Sequence, residues 1–115
     1  MGECGACTVL MTGKPVNSCQ ILSVRADGTQ ITTIEGLSGE KNLHPLQLGF
    51  LENDGAQCGF CTPGFIMSAL ALLQSIEKPT KQEIMANLGG NLCRCNAYAS
   101  IVQSVQAAAM KISNE

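Results

Sequence analysis

A chain of 115 residues with a net charge of −2 holds one ordinary domain or two very small ones. It has no Trp, one Tyr and three Phe, and no basic run, which excludes a nucleic-acid-binding surface. Its best apolar stretch, residues 65–73, is short and interrupted by Ser68. Met1-Gly2-Glu3-Cys4 has neither the basic nor the apolar region of a signal peptide. The expectation is a cytoplasmic protein with no membrane partner.

In chain order, residues 8–11 and 16–25 are rich in β-branched and apolar side chains and read as strands, with Thr12-Gly13 as the turn between them. Ala26-Asp27-Gly28 separates a third strand-like run, residues 29–34. Residues 35–42 hold two glycines and several polar side chains and read as a linker centred on 37–42.

The pattern then turns helical. Leu43, Leu46, Phe50 and Leu51 mark one face, and Ile66, Ala69, Leu70 and Leu73 mark another. Thr62-Pro63 offers a cap followed by proline in the first turn. Thr80-Lys81-Gln82-Glu83 fits a capping box, and Gly89-Gly90 should end that third helix. Tyr98, Ile101, Val102, Val105, Ala108, Ala109 and Ile112 form the stripe of a last helix. Four helices with short connections predict a small bundle. The expected organisation is a partial strand module over 1–36, a linker over 37–42 and a helical module over 43–115.

Seven cysteines carry the chemistry. An odd count argues against a complete disulfide framework, and Cys93 and Cys95 are too close for an easy mutual bridge. Cys58-Gly59-Phe60-Cys61 and Cys93-Arg94-Cys95 each precede a predicted helix. If those helix starts adjoin, four thiolates meet at two positive dipole ends, where thiolate is favoured over thiol. Such a set satisfies a [2Fe–2S] cluster and also tetrahedral zinc. Ligand softness and the CxC half favour iron. A zinc-stabilised structural or interaction module without redox activity is the alternative.

The other group, first in chain order, is Cys4-Gly5-Ala6-Cys7 with Cys19. It matches the last three ligands of the plant-type pattern C-x4-C-x2-C…C. The first cysteine of that pattern would lie five positions before Cys4, upstream of Met1. The chain therefore reads as N-terminally truncated, with one complete cluster site and a second site lacking one ligand. An export signal upstream would redirect it to the periplasm.

Taken together, Gly2-Glu3-Cys4-Gly5-Ala6-Cys7-Thr8-Val9, Gly13-Lys14-Pro15-Val16-Asn17-Ser18-Cys19, His44-Pro45-Leu46-Gln47, Gln57-Cys58-Gly59-Phe60-Cys61-Thr62-Pro63-Gly64 and Gly90-Asn91-Leu92-Cys93-Arg94-Cys95 make a specific set. The chain resembles the [2Fe–2S] small subunit of the xanthine oxidase family of molybdenum hydroxylases from Met1 to about Ala107. Asn96-Ala97-Tyr98 looks closer to the bacterial aldehyde oxidoreductases, with carbon monoxide, nicotinate and purine dehydrogenases as alternatives. The resemblance implies an α+β chain: a truncated β-grasp, ferredoxin-like module followed by a four-helix bundle, each associated with one cluster. It implies electron flow from a molybdopterin centre in a large subunit, through the clusters, to FAD in a medium subunit. On the resemblance, Cys58, Cys61, Cys93 and Cys95 ligate the cluster near molybdenum, and Cys4, Cys7 and Cys19 the distal one. Gln57 and Cys95 would lie closest to the pterin.

His44, the one histidine, has no second histidine for a Rieske-type site, and a capping role beside Pro45 is the expectation. Arg94, between two ligands, either tunes charge or is simply solvated. Glu3 and Glu52 read as surface charges. With no nucleophile–base set or phosphate loop, no organic-substrate site is expected on this chain.

Overall fold

The hairpin after the first cysteine pair sets the direction of everything that follows. β1 (Thr8–Met11) and β2 (Lys14–Asn17) pair antiparallel, with Val9 opposite Val16 and Leu10 opposite Pro15. Thr12 and Gly13 join them with φ of 50° and 81°, the double positive-φ turn that matches strand twist. Pro15, which has no N–H to give, sits on an edge strand. The short β3 (Ile31–Thr32) pairs on the other side of β1, giving the order β2-β1-β3. The structure, a computed structural model, describes residues 2–39 and 41–113. Met1, Glu40, Asn114 and Glu115 fall outside these, and with them one expected linker position and the outer ends of both expected modules.

Two strand expectations are corrected. The run over 16–25 is extended only to Asn17; the chain then turns through short 3-10 segments at Ser18–Gln20 and Ser23–Ala26. The cause is long-range. The Ser18 amide and hydroxyl both donate to the Cys7 carbonyl, at 3.4 and 2.8 Å, which folds the chain back onto the cysteine loop. Likewise the run over 29–34 shrinks to Ile31–Thr32. Thr29 is tied into the preceding turn, its hydroxyl donating to Ala26 at 2.6 Å, and Ile34–Gly36 closes as another 3-10 turn.

Four helices follow among the described residues: α1 (Pro45–Glu52), α2 (Thr62–Ser75), α3 (Lys81–Asn87) and α4 (Tyr98–Ser113). His44 caps α1, as expected. Its Nδ1 accepts from the Leu46 amide at 3.1 Å, and its own amide donates to Gln47 Oε1 at 2.9 Å. Leu46 and Phe50, one turn apart, are buried. Leu43, before the helix, and Leu51, off its inner face, are exposed, which corrects the predicted four-residue stripe. Thr80 and Glu83 form the predicted capping box of α3, at 3.2 and 2.9 Å. The α4 stripe buries Ile101, Val102, Val105, Ala108 and Ala109, while Tyr98 stays partly exposed and Ile112 half-buried.

α2 departs most from its expected pattern. Every residue from Gly64 to Leu72 is buried, so the helix has no solvent face along most of its length. It is the hub. β1 brings Leu10 against one side and the other helices cover the rest, within one continuous apolar core. Phe65, Met67, Leu46, Ile84, Ile101 and Val105 are its largest fully buried apolar side chains. The fold is α+β: a small three-stranded sheet and four helices sharing that core.

Candidate metal centre

Both cysteine groups are built on tight turns at the same end of α2. All seven cysteines are free thiols, in line with the reading against a disulfide framework. Cys61 is the N-cap of α2, its carbonyl accepting the Phe65 amide at 3.1 Å. Thr62 and Pro63, expected as cap and first residue, therefore occupy the first turn itself. Cys93 lies two residues beyond the buried Asn91 in the segment joining α3 to α4. A turn at Asn96, with φ of 59°, separates Cys95 from the start of α4, so this pair stands slightly ahead of its helix rather than against it.

Cys58, Cys61 and Cys93 line one open cleft of about 620 Å³, with Phe60, Leu92, Arg94 and Tyr98 around it. Cys93 is buried, Cys61 half-buried and Cys58 exposed. The Cys93 amide donates to the Tyr98 hydroxyl at 2.9 Å, and the Ala97 amide donates to Cys93 Sγ at 3.4 Å. Burial opposes ionisation of Cys93. The Ala97 amide, the Cys61 thiol and the amides of Cys95 and Asn96 outweigh it and hold the Cys93 thiol below its usual range. Burial, reinforced by the Cys93 sulfur, pushes Cys61 up to about 11. Of this adjoining pair, Cys93 is the one prepared as thiolate.

The first group is shallower. The Cys19 amide donates to Cys7 Sγ at 3.4 Å; this bond, helped by the Cys19 thiol and the Ser18 hydroxyl against slight burial, lowers the Cys7 thiol. Cys4 and Cys19 are exposed. Cys4, predicted to act with Cys7 and Cys19, lines the cleft of the second group as well. Cys95 does not line that cleft; it is half-buried against the core. Gln57 is exposed in the segment leading to Cys58.

Among the described residues, no three His, Cys, Asp or Glu side chains are gathered to hold a single metal ion. A two-iron cluster divides its four thiolates between two irons and asks for no such single point. The residues fit that group. The donor set is soft, the amides around Cys93 point at sulfur, and Thr62 Oγ1, next to Cys61, is a buried hydroxyl with no hydrogen-bond partner.

Residues 33–106 match the [2Fe-2S] binding domain family. The chain belongs to this family. It is 43% identical to the aldehyde oxidoreductase iron-sulfur-binding subunit of Escherichia coli, over 98% of this chain and 56% of that protein. It is 49% identical to the nicotine 6-hydroxylase small subunit of Paenarthrobacter nicotinovorans, over 99% of this chain and 68% of that one. The chain thus spans between about half and two thirds of these relatives. Among solved structures it is similar to quinoline 2-oxidoreductase from Pseudomonas putida 86, with a TM-score of 0.93 and 39% identity over 99% of this chain and 72% of the other. It is equally similar to the aldehyde oxidoreductase from Desulfovibrio gigas, with a TM-score of 0.94 and 45% identity over 99% of this chain and 13% of that one. The resemblance read from the cysteine motifs to iron–sulfur subunits of the xanthine oxidase family is borne out by these relatives. The matched family is a [2Fe-2S] binding domain, which favours iron–sulfur over the zinc alternative.

Four contributors were not read as site residues. Tyr98 was read as part of an apolar stripe and of Asn96-Ala97-Tyr98, yet its hydroxyl accepts from the Cys93 amide. Thr62 was read as a cap. Asn91, read only within the motif of residues 90–95, and Ser68, which carried none, bind each other at 2.8 Å. The available signal was the position of Asn91, two residues before Cys93.

Proposed function

We propose that this chain is the electron-transfer subunit of a molybdenum hydroxylase or dehydrogenase, passing electrons from a molybdopterin centre on a large partner subunit toward FAD on a medium one. The observation that carries this reading is the placement of Cys4 beside Cys58, Cys61 and Cys93 at one cleft, in a chain of the [2Fe-2S] binding domain family. It brings the loop of one cysteine group to the ligands of the other.

In this reading Cys58, Cys61, Cys93 and Cys95 hold the proximal [2Fe–2S] cluster, and Cys4, Cys7 and Cys19 belong to the distal one. Residues 1–36 are a partial β-grasp, ferredoxin-like module, 37–42 the linker and 43–115 the four-helix [2Fe–2S]-binding domain. When bound, each cluster supplies a site that takes up and releases one electron. The chain's own residues do the rest. The Ala97, Cys95 and Asn96 amides offset charge on the Cys93 sulfur, which favours the reduced state. The exposed Phe60 and Leu92 at the mouth of the cleft form an apolar rim for the large subunit, with Gln57 and Cys95 toward the pterin. The organic substrate binds on the partner. Among the described residues no helix is long and apolar enough to cross a membrane. The chain works in the cytoplasm and, at a net charge of −2, without nucleic acid.

The native protein should be red-brown, contain iron and acid-labile sulfide, and co-purify with molybdenum and flavin. A colourless zinc protein, or an iron protein that never associates with molybdenum, would sink the proposal.

A further inference from the structure

The loop carrying Cys4 and Cys7 is clamped by the two segments that carry Cys61 and Cys93. On one side, a Cβ placed on Gly64, in the first turn of α2, would collide with the Gly5 carbonyl and reach within 3.2 Å of Ala6 Cα. On the other, a Cβ on Gly5 would lie 2.6 Å from both the Gly90 carbonyl and Asn91 Nδ2. The Leu92 amide donates to the Cys4 carbonyl at 2.8 Å. In the middle lies Asn91, only 5% exposed. Its Nδ2 donates to the Gly5 carbonyl at 3.0 Å and reaches Thr8 Oγ1 at 3.5 Å, and its Oδ1 accepts the Ser68 hydroxyl at 2.8 Å. Its own amide donates to Leu88 at 3.0 Å. A single buried carboxamide therefore joins the cysteine loop, α2 and the segment leading into Cys93.

We propose that Asn91, which is not a cluster ligand, is the positioning residue that fixes the separation and orientation of the two iron–sulfur centres, and so their electronic coupling. The inference rests on the reading that both cysteine groups hold clusters. Buried polar groups are costly to leave unmade, so a fully satisfied carboxamide selects one arrangement over its neighbours. Exchange between two redox centres depends on that arrangement, as any reaction between held partners depends on their placement. Leucine at 91 is close in size but can neither donate to Gly5 nor accept from Ser68.

The test is low-temperature paramagnetic resonance of the fully reduced native complex, in which a ligand from outside residues 1–115 completes the Cys4, Cys7 and Cys19 site, comparing wild type, Asn91→Leu, Ser68→Ala and Gly5→Ala. Wild type should give two [2Fe–2S] signals split by their magnetic interaction. In Asn91→Leu both signals should persist with their own g values while the splitting collapses. Gly5→Ala, pushing on Asn91 from the other side, should do the same. Ser68→Ala, which removes one bond of the latch and leaves the others, should weaken the splitting without abolishing it, and stays informative if either larger change prevents folding. Two signals with undiminished splitting in these variants would overturn the inference. A wild type with only one cluster signal would instead sink the reading of the first cysteine group, and the inference with it.

Discussion

The two cysteine groups solve one chemical problem with different means. Cys61 and Cys93 stand on the core: one caps a helix buried along most of its length, and the other is buried and held by Tyr98, which meets Phe65 edge-on at 6.3 Å. Cys7 and Cys19 stand on turns, held by the Ser18 and Cys19 donors, with Cys4 and Cys19 exposed. A ligand rooted in packed side chains is as rigid as the core beneath it. A ligand rooted in surface turns depends on a few polar bonds, each with a net worth of about 1 kcal/mol. The helical group should therefore be the sturdier of the two.

The sharpest way to break this comparison is to remove one ligand from each group. Cys93→Ser should eliminate the helical cluster and lower the thermal midpoint, because cluster binding is linked to folding. Cys19→Ser should leave the helical cluster's spectrum intact. Equal damage from both would erase the distinction. Next in size, Phe65→Ala should cost about 3–5 kcal/mol in chemical denaturation. By loosening Tyr98 it should also let a chelator strip the helical cluster sooner than in wild type. If chelation is unchanged, the link from core to Cys93 is wrong. Gly64→Ala attacks the seam between the groups, and overpacking there should cost about 1–3 kcal/mol. A neutral result would mean that the Gly5 loop yields easily. Smallest is Thr80→Ala, which removes the α3 cap far from both groups. It should cost about 1 kcal/mol and leave every cluster signal in place; a spectral change would show that α3 also governs the centre.

What was legible in the sequence was local. The Thr12-Gly13 turn, the capping box at Thr80, the cap at His44 and the α4 stripe each depend on residues a few positions apart, and each stands in the structure as expected. The failures were long-range. Residues 18–25 have strand-like side chains, but Ser18 binds back to Cys7 and bends the chain before a strand can extend. The α2 stripe was too narrow because periodicity reveals one apolar face and cannot show that a sheet covers the other. At the site, the cysteine spacing marked out two groups, and the structure brings Cys4 of one to the cleft lined by Cys58, Cys61 and Cys93. The seam between them was hidden, since Asn91 and Gly5 are 86 residues apart and an asparagine before a cysteine has many uses.

That separation also orders events during synthesis. Leu10 and the cysteine loop leave the ribosome well before the carboxamide that clasps Gly5, which follows 86 residues later, with the Cys93 segment directly after it. Closing so long a loop is the slow kind of contact. Until Asn91 arrives, the Cys4–Cys7 loop lacks its clasp, so the seam between the two cysteine groups can shut only after both have been made.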